Sequence, residues 1–118
     1  MTIDSPILIA PHPTLAGVAT LTLNRPKALN ALDVAMTKAF VPAVQQIAND
    51  SSIRVVIVQG AGEHFMAGGD IKGFGETLAT PGPERKKHFM EMIHFIHAGV
   101  EIMQRMDVVA VAKVRGAC

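Results

Sequence analysis

The chain alternates short apolar runs with longer stretches whose apolar residues recur every three or four positions. Ile7–Ile9 and Val18–Leu23 are two such runs, and in the second Leu21 and Leu23 alternate with Thr20 and Thr22. A period of two places successive side chains on opposite faces of a half-buried strand. Pro11, Pro13 and Gly17 punctuate the link between the runs, as in a hairpin. Asn24-Arg-Pro26 ends the second run, because proline cannot donate to a ladder. From Val34 to Ala48 the period changes. Met36, Phe40, Val44 and Ile47 share one helical face, and Asp33 stands where an N-cap belongs. Pro42 falls inside that helix; an interior proline costs about 3 kcal/mol, so a kink or split is expected there.

Val55–Gln59 is apolar and β-branched almost throughout, which predicts a strand buried on both faces. A glycine-rich loop, Gly62–Phe74, follows it, and Thr80–Pro83 reads as a linker. A second helix is expected from Glu84 to about Met106. Phe89, Met92, Ile93, Ile96, Val100 and Met103 form one stripe, widened by Phe95, Ile102 and Met106. That arc is broader than one small sheet requires, so it serves either the core alone or the core and a neighbour. Val108–Val114 predicts a last buried strand. Strand, helix, strand, helix, strand is the order of an α/β fold with parallel pairing.

At 118 residues the chain is at most one small domain, which buries roughly two thirds of its unfolded surface. Hydrophobic residues make up 49% and charged residues 18%, a balance that excludes a disordered chain. A net charge of +1 gives no electrostatic footprint for nucleic acid or an anionic membrane. Cys118 is the one cysteine, so no disulfide forms within the chain, as in a reducing compartment. Met1–Pro6 lacks the pattern of a signal peptide, and no apolar run reaches the roughly 18 residues of a membrane span. Together these features predict a cytoplasmic protein. Arg115-Gly-Ala-Cys118 follows directly on a predicted core strand, the pattern of the N-terminal part of a longer protein.

Candidate chemistry concentrates in the glycine-rich loop. Gly60-Ala-Gly62 after a strand suggests a dinucleotide fingerprint, but Phe65 stands where the third glycine is needed, so the spacing fails. His94 and His97 are three apart on a helix and His88 is off that face; no cysteine or carboxylate completes a metal set. His64 reads as a surface residue, and Cys118 has no partner for a nucleophilic role. What remains is the step Ala67-Gly-Gly-Asp70, where backbone can approach a ligand closely. Exposed N–H groups in such a loop can hold a carbonyl oxygen that becomes an oxyanion. Gly68 and Gly69 also fit a tight turn at positive φ.

Three blocks, in order, extend this reading. Leu23-Asn-Arg-Pro-Lys-Ala-Leu-Asn-Ala-Leu32 resembles the first CoA-binding loop of the crotonase superfamily, the enoyl-CoA hydratase/isomerase proteins. Val55–Val58 with Gly60, then Phe65-Met-Ala-Gly-Gly-Asp-Ile-Lys72, resemble that family's oxyanion loop and the strand leading to it. Val109–Ala117 resembles a later strand and turn, with Arg115 in place of the usual Asn and an unusual Lys113 within the strand. The likeness is to the N-terminal part of the family and covers nearly the whole chain.

The resemblance implies a role for individual residues. In the family an acyl-CoA thioester reacts through an enolate-like species whose oxygen is held by two backbone N–H groups. Losing one such donor costs about 2.7–4 kcal/mol. One donor corresponds to the N–H of Gly69, where many members carry Ala. Ala67 and Gly68 would let backbone pass the pantetheine arm, and Ala28, Ala67 and Ile71 would touch CoA through backbone and apolar surface. Arg25, Lys27 and Lys72 either pair with CoA phosphates or remain solvated charges. Asp70, at the same subsite, is either a general base or the cap of the following helix. The second oxyanion donor and the two acidic residues of a hydratase would lie past Cys118. Glu76, Glu84, Glu91, Glu101 and Asp107 read as solvated charge and do not replace them.

The implied fold is a crotonase-like (ClpP/crotonase) ββα spiral, incomplete. Residues 1–118 would be the N-terminal portion of a single domain, without its C-terminal part and helical trimerisation region. The implied activity is enoyl-CoA hydration, with the chain as given inactive. Double-bond isomerisation and thioester hydrolysis on the same scaffold are alternatives, and so is a non-catalytic CoA-binding or assembly module. The implied partner is an acyl-CoA thioester, with a trimer or hexamer for the full-length protein. No cofactor is implied beyond the coenzyme A of the substrate.

Overall fold

A computed structural model describes residues 4–118. Strands β1 (Ile7–Pro11) and β2 (Val18–Leu23) form an antiparallel hairpin, and β3 (Val55–Gly60) and β4 (Val109–Ala112) add to it in parallel. The sheet order is β1-β2-β3-β4. Each parallel step is crossed by a helical segment: α1 (Val34–Ala48) before β3, then α2 (Ile71–Glu76) and α3 (Gly82–Arg105) before β4. Parallel neighbours need such crossovers, because a tight turn cannot reverse the chain twice.

The core forms where α1 lies on the sheet. Ile7, Leu21, Leu23 and Val56 from the strands meet Met36, Ala43, Val44 and Ile47 from α1, with Val108 beside them. Leu21 and Leu23 are buried while Thr20 and Thr22 are half-buried, as the period of two requires. Asp33 caps α1 by accepting from the Met36 N–H at 2.8 Å. α3 packs along α1; its last turn and the residue that caps it bring Ile102, Met103 and Met106 to the core.

Three expectations change. α1 runs unbroken through Pro42. Pro42 and Lys38 are exposed, so the Lys38 carbonyl deprived of its helical donor faces water. β3 is not buried on both faces: Val56 and Gly60 are buried, but Ile57 and Gln59 on the opposite face are only half-buried. There Gln59 donates to the Thr22 hydroxyl at 3.1 Å, a polar patch on an open face. β4 is not a buried strand. It is the sheet's edge, and all of Val109–Ala112 is exposed. On α3 the stripe is likewise covered in part: Gly99 is its one buried residue, and Ile93, Phe95 and Val100 remain exposed.

Candidate active site

The site is built where two loops run side by side. The first leaves β2 at Asn24, makes a single 3₁₀ turn at Pro26–Ala28, and carries Leu29 and Asn30 at φ of 54° and 55°. Left-handed backbone is costly for leucine and easier for asparagine. Asn30 is wholly buried and spends its side chain on three bonds. Its Oδ1 accepts from the Arg25 N–H at 2.8 Å, and its Nδ2 donates to the carbonyls of Ala61 and His64 at 3.0 and 2.9 Å. This one amide ties the first loop to the start of the glycine-rich loop. The contact leaves no room at Gly60, where a Cβ would lie 2.6 Å from Asn30 Nδ2 and 2.1 Å from the His64 carbonyl.

Further along, the two loops pair as a short parallel ladder. The Leu32 N–H donates to the Gly68 carbonyl at 2.8 Å, and the Asp70 N–H donates to the Leu32 carbonyl at 3.0 Å. Ala67 donates to the Leu29 carbonyl at 3.1 Å. Gly68 takes φ of 98°, the turn that only glycine makes freely. In a parallel bridge of Leu32 with Gly69, the bonds run to the neighbours of Gly69 rather than to Gly69 itself. The Gly69 N–H therefore points away from the first loop. Among the described residues it has no acceptor, and Gly69 is exposed. An exposed N–H without an acceptor, on a glycine whose neighbours are both bonded to the first loop, is free to donate to a ligand oxygen.

Charge is organised by Arg25. Its Nε lies 3.2 Å from Asp33 Oδ2 and its Nη2 lies 3.1 Å from Asp70 Oδ2. A third donor, Nη1, reaches the Ala31 carbonyl at 2.5 Å. The guanidinium is thus occupied in holding the first loop, α1 and α2 together. Asp70 caps α2 by accepting from the Gly73 N–H at 3.2 Å. That backbone donor, and then Arg25, hold its carboxyl below the usual carboxylate range. Asp70 takes the capping role weighed from the sequence.

Two adjoining clefts lie at this end of the loops, and Gly69 lines one of them. One, of about 490 Å³, is apolar and is walled by Leu32, Gly69, Phe74, Met92, Ile93 and Ile96. The other, of about 750 Å³, is the more polar of the two, though apolar surface still predominates, and brings Arg25, Asp33, Lys38, Asp70, Lys72 and His88 together. So Gly69, Asp70, Lys72 and Arg25 of the expected set meet around the clefts. Lys27 and Ala28 line neither cleft; they lie in a shallow depression that shares only Arg25 with the larger one. Ile71 is 82% exposed, and Ala67 is exposed beside its bond to Leu29. Glu76 lines the polar cleft but sits exposed on α2.

The pattern of these loops agrees with a known family model. Residues 18–116 match the family described as enoyl-CoA hydratase/isomerase. The chain belongs to the enoyl-CoA hydratase/isomerase family. Its fold is the crotonase-like α/β arrangement. A crystal structure of an enoyl-CoA hydratase/isomerase from Xanthobacter autotrophicus Py2 superposes with a TM-score of 0.80 at 33% identity, covering 97% of this chain and 40% of that one. The zebrafish mitochondrial 3-hydroxyisobutyryl-CoA hydrolase is 50% identical over 63 residues, 52% of this chain and 16% of that protein. The short-chain-enoyl-CoA hydratase of Clostridium acetobutylicum is 46% identical over 66 residues, 55% of this chain and 25% of that protein. The chain thus spans well under half the length of these family members.

Three contributors were given no role in the site from the sequence. Asn30 lay in a quoted block, but nothing in its spacing distinguished a buried amide from a loop residue. His64 is half-buried rather than a surface residue, and its Nδ1 accepts from the Ala117 N–H at 2.9 Å. Arg115 donates to the carbonyls of Gly60 and Gly62 at 3.2 and 2.8 Å. The turn after β4 is thereby stitched to the glycine-rich loop, which Phe65 and Met66 reinforce by donating to the Ala117 carbonyl. The departure at Arg115 becomes legible once its distant partners are in view.

Proposed function

We propose that this chain is the acyl-CoA-binding, N-terminal portion of a single crotonase-like domain whose complete form hydrates trans-2-enoyl-CoA thioesters. The observation that carries the reading is the Gly69 N–H, held in place by the loop ladder and without an acceptor among the described residues, at the edge of an apolar cleft. A thioester carbonyl would accept from it while the acyl group lies in the apolar cleft. Lys72 and Lys38, lining the polar cleft, would face the CoA phosphates. As an enolate forms, charge grows on the carbonyl oxygen, and a fixed donor favours that state over the ground state. The second donor and the acidic pair would come from the remainder of the domain. The complete protein would act in the cytoplasm as a homo-oligomer, a trimer or hexamer. It would need no cofactor other than the coenzyme A of its substrate.

Calorimetry with acetoacetyl-CoA, which forms a stable enolate, and with butyryl-CoA tests the reading. Acetoacetyl-CoA should bind the chain more tightly. Equal affinity for both and for free CoA would remove the oxyanion role from Gly69. A second reading, thioester hydrolysis by the complete protein, is favoured by the 50% identity to a CoA-thioester hydrolase across 63 residues. Turnover of 3-hydroxyisobutyryl-CoA against crotonyl-CoA by the full-length protein separates the two.

A further inference from the structure

We propose that Phe74 is a specificity-determining residue, a movable ring that decides which acyl groups pass from the polar cleft into the apolar one. The proposal rests on the acyl-CoA reading above and names what controls that site. Phe74 lines both clefts. Its ring tip lies against Gly69: a Cβ on Gly69 would sit 2.5 Å from Phe74 Cζ and 2.9 Å from Cε2. The ring therefore stands directly beside the backbone donor, where the carbonyl end of a thioester must arrive.

The clefts share four walls: Leu32, Phe74, Phe89 and Met92. Leu32 is held by the bridge to Gly69, and Phe89 and Met92 belong to the long helix α3. Phe74 alone sits on a short helix with no buried residue, between Gly73 and Gly75. Glycines weaken a helix, and neither has a packed neighbour to steady it apart from the Asp70 cap beside Gly73. Phe74 is 37% exposed, so its ring can swing toward solvent. What holds it closed is an edge-to-face contact with Phe89, centroids 5.1 Å apart at 90°. A short, unbranched acyl group can slip past the ring tip. A longer or branched one must displace the ring and forfeit the contact with Phe89. Removing the ring merges the clefts and transfers preference to larger acyl groups.

The test is equilibrium dialysis of the chain against equal concentrations of butyryl-CoA and octanoyl-CoA. The wild type is compared with Phe74→Ala and Phe74→Leu, and circular dichroism confirms that each variant keeps its helices. The bound octanoyl-to-butyryl ratio should rise about tenfold in Phe74→Ala, the scale of one or two methylene contacts. Phe74→Leu, which keeps apolar volume but loses the ring tip, should shift the same way by less, and it carries the test if the alanine variant loses its fold. Binding of both ligands with an unchanged ratio in both variants overturns the role of Phe74 and leaves the acyl-CoA reading standing. Failure of the wild type to bind either ligand overturns both.

Discussion

Asn30 shows how much one side chain can carry. Removing its amide leaves the carbonyls of Ala61 and His64 and the Arg25 N–H without their partner, and alanine tolerates φ of 55° poorly. Asn30→Ala should cost about 2–4 kcal/mol of unfolding free energy in urea. Asn30→Gly keeps the backbone freedom, so it isolates the hydrogen-bond share and should cost less. An unchanged urea midpoint in both variants would refute the assignment. Asp70 offers a pH test. Its carboxyl titrates below its ordinary value of 3.8 in the folded chain, so it favours folding above that pH, and the contribution is lost as pH falls through the folded value. In Arg25→Gln the Gly73 donor remains, so an NMR titration should show the Asp70 midpoint rising part-way toward 3.8. A midpoint that stays or falls would contradict the pairing. At this scale Gly68 and the Asp70 cap were legible in the sequence, because a positive φ and a helix start demand those residue types locally; Gly69 is not at positive φ and is kept small by the Phe74 ring instead. Asn30 and His64 were not, because the carbonyls that Asn30 holds and the N–H that His64 accepts from lie 31 or more positions away.

Elements were legible where their patterns are local. The bounds of β2 and α1 follow from alternation, an Asp cap and a helical stripe, whereas Pro42 argued for a kink or a split and the helix is not split. A proline is tolerated when the carbonyl it orphans faces water. Pro42→Ala restores that bond but loosens the unfolded chain, so it should raise stability by about 1–2 kcal/mol in thermal unfolding. Destabilisation would mean that Pro42 packs rather than merely being endured. The contact of α1 with α3 depends on Gly99, where a Cβ would sit 2.3 Å from two carbons of the Phe40 ring. Alanine gains about 1 kcal/mol in helix propensity, but overpacking costs about 1–3 kcal/mol. Gly99→Ala should therefore destabilise on balance, and Phe40→Leu should reverse that loss when the two are combined. Additive losses in the double mutant would show that the two residues do not meet.

The whole molecule is more open than its length suggests. Its accessible surface of 7476 Å² exceeds the roughly 6,200 Å² of a compact protein of this mass. The radius of gyration is 15.0 Å against about 13.5 Å for 118 residues. The excess is apolar in part: Val109, Val111 and Val114 on and beyond the edge strand are 59%, 47% and 52% exposed, with Ile93, Phe95 and Val100 open on α3. Exposed apolar edges associate, so the chain by itself should bind hydrophobic dyes and form assemblies in light scattering. A monodisperse monomer would count against that. The chain by itself should not hydrate crotonyl-CoA: Asp33 and Asp70 in the polar cleft are both paired with Arg25, and Glu76, the other carboxylate lining it, sits exposed on α2. Turnover above a matched blank would refute this. The sequence by itself determined the element order, the parallel pairing, the family and the Gly68-Gly69-Asp70 step, because periodicity, caps and glycine geometry are local properties. Only the tertiary structure decided that β4 is an open edge, that Arg25 is held by two carboxylates, that the Phe74 ring tip lies against Gly69, and that the Gly69 N–H has no acceptor among the described residues. Each of those depends on contacts between segments far apart in the chain, and a local pattern carries no record of them.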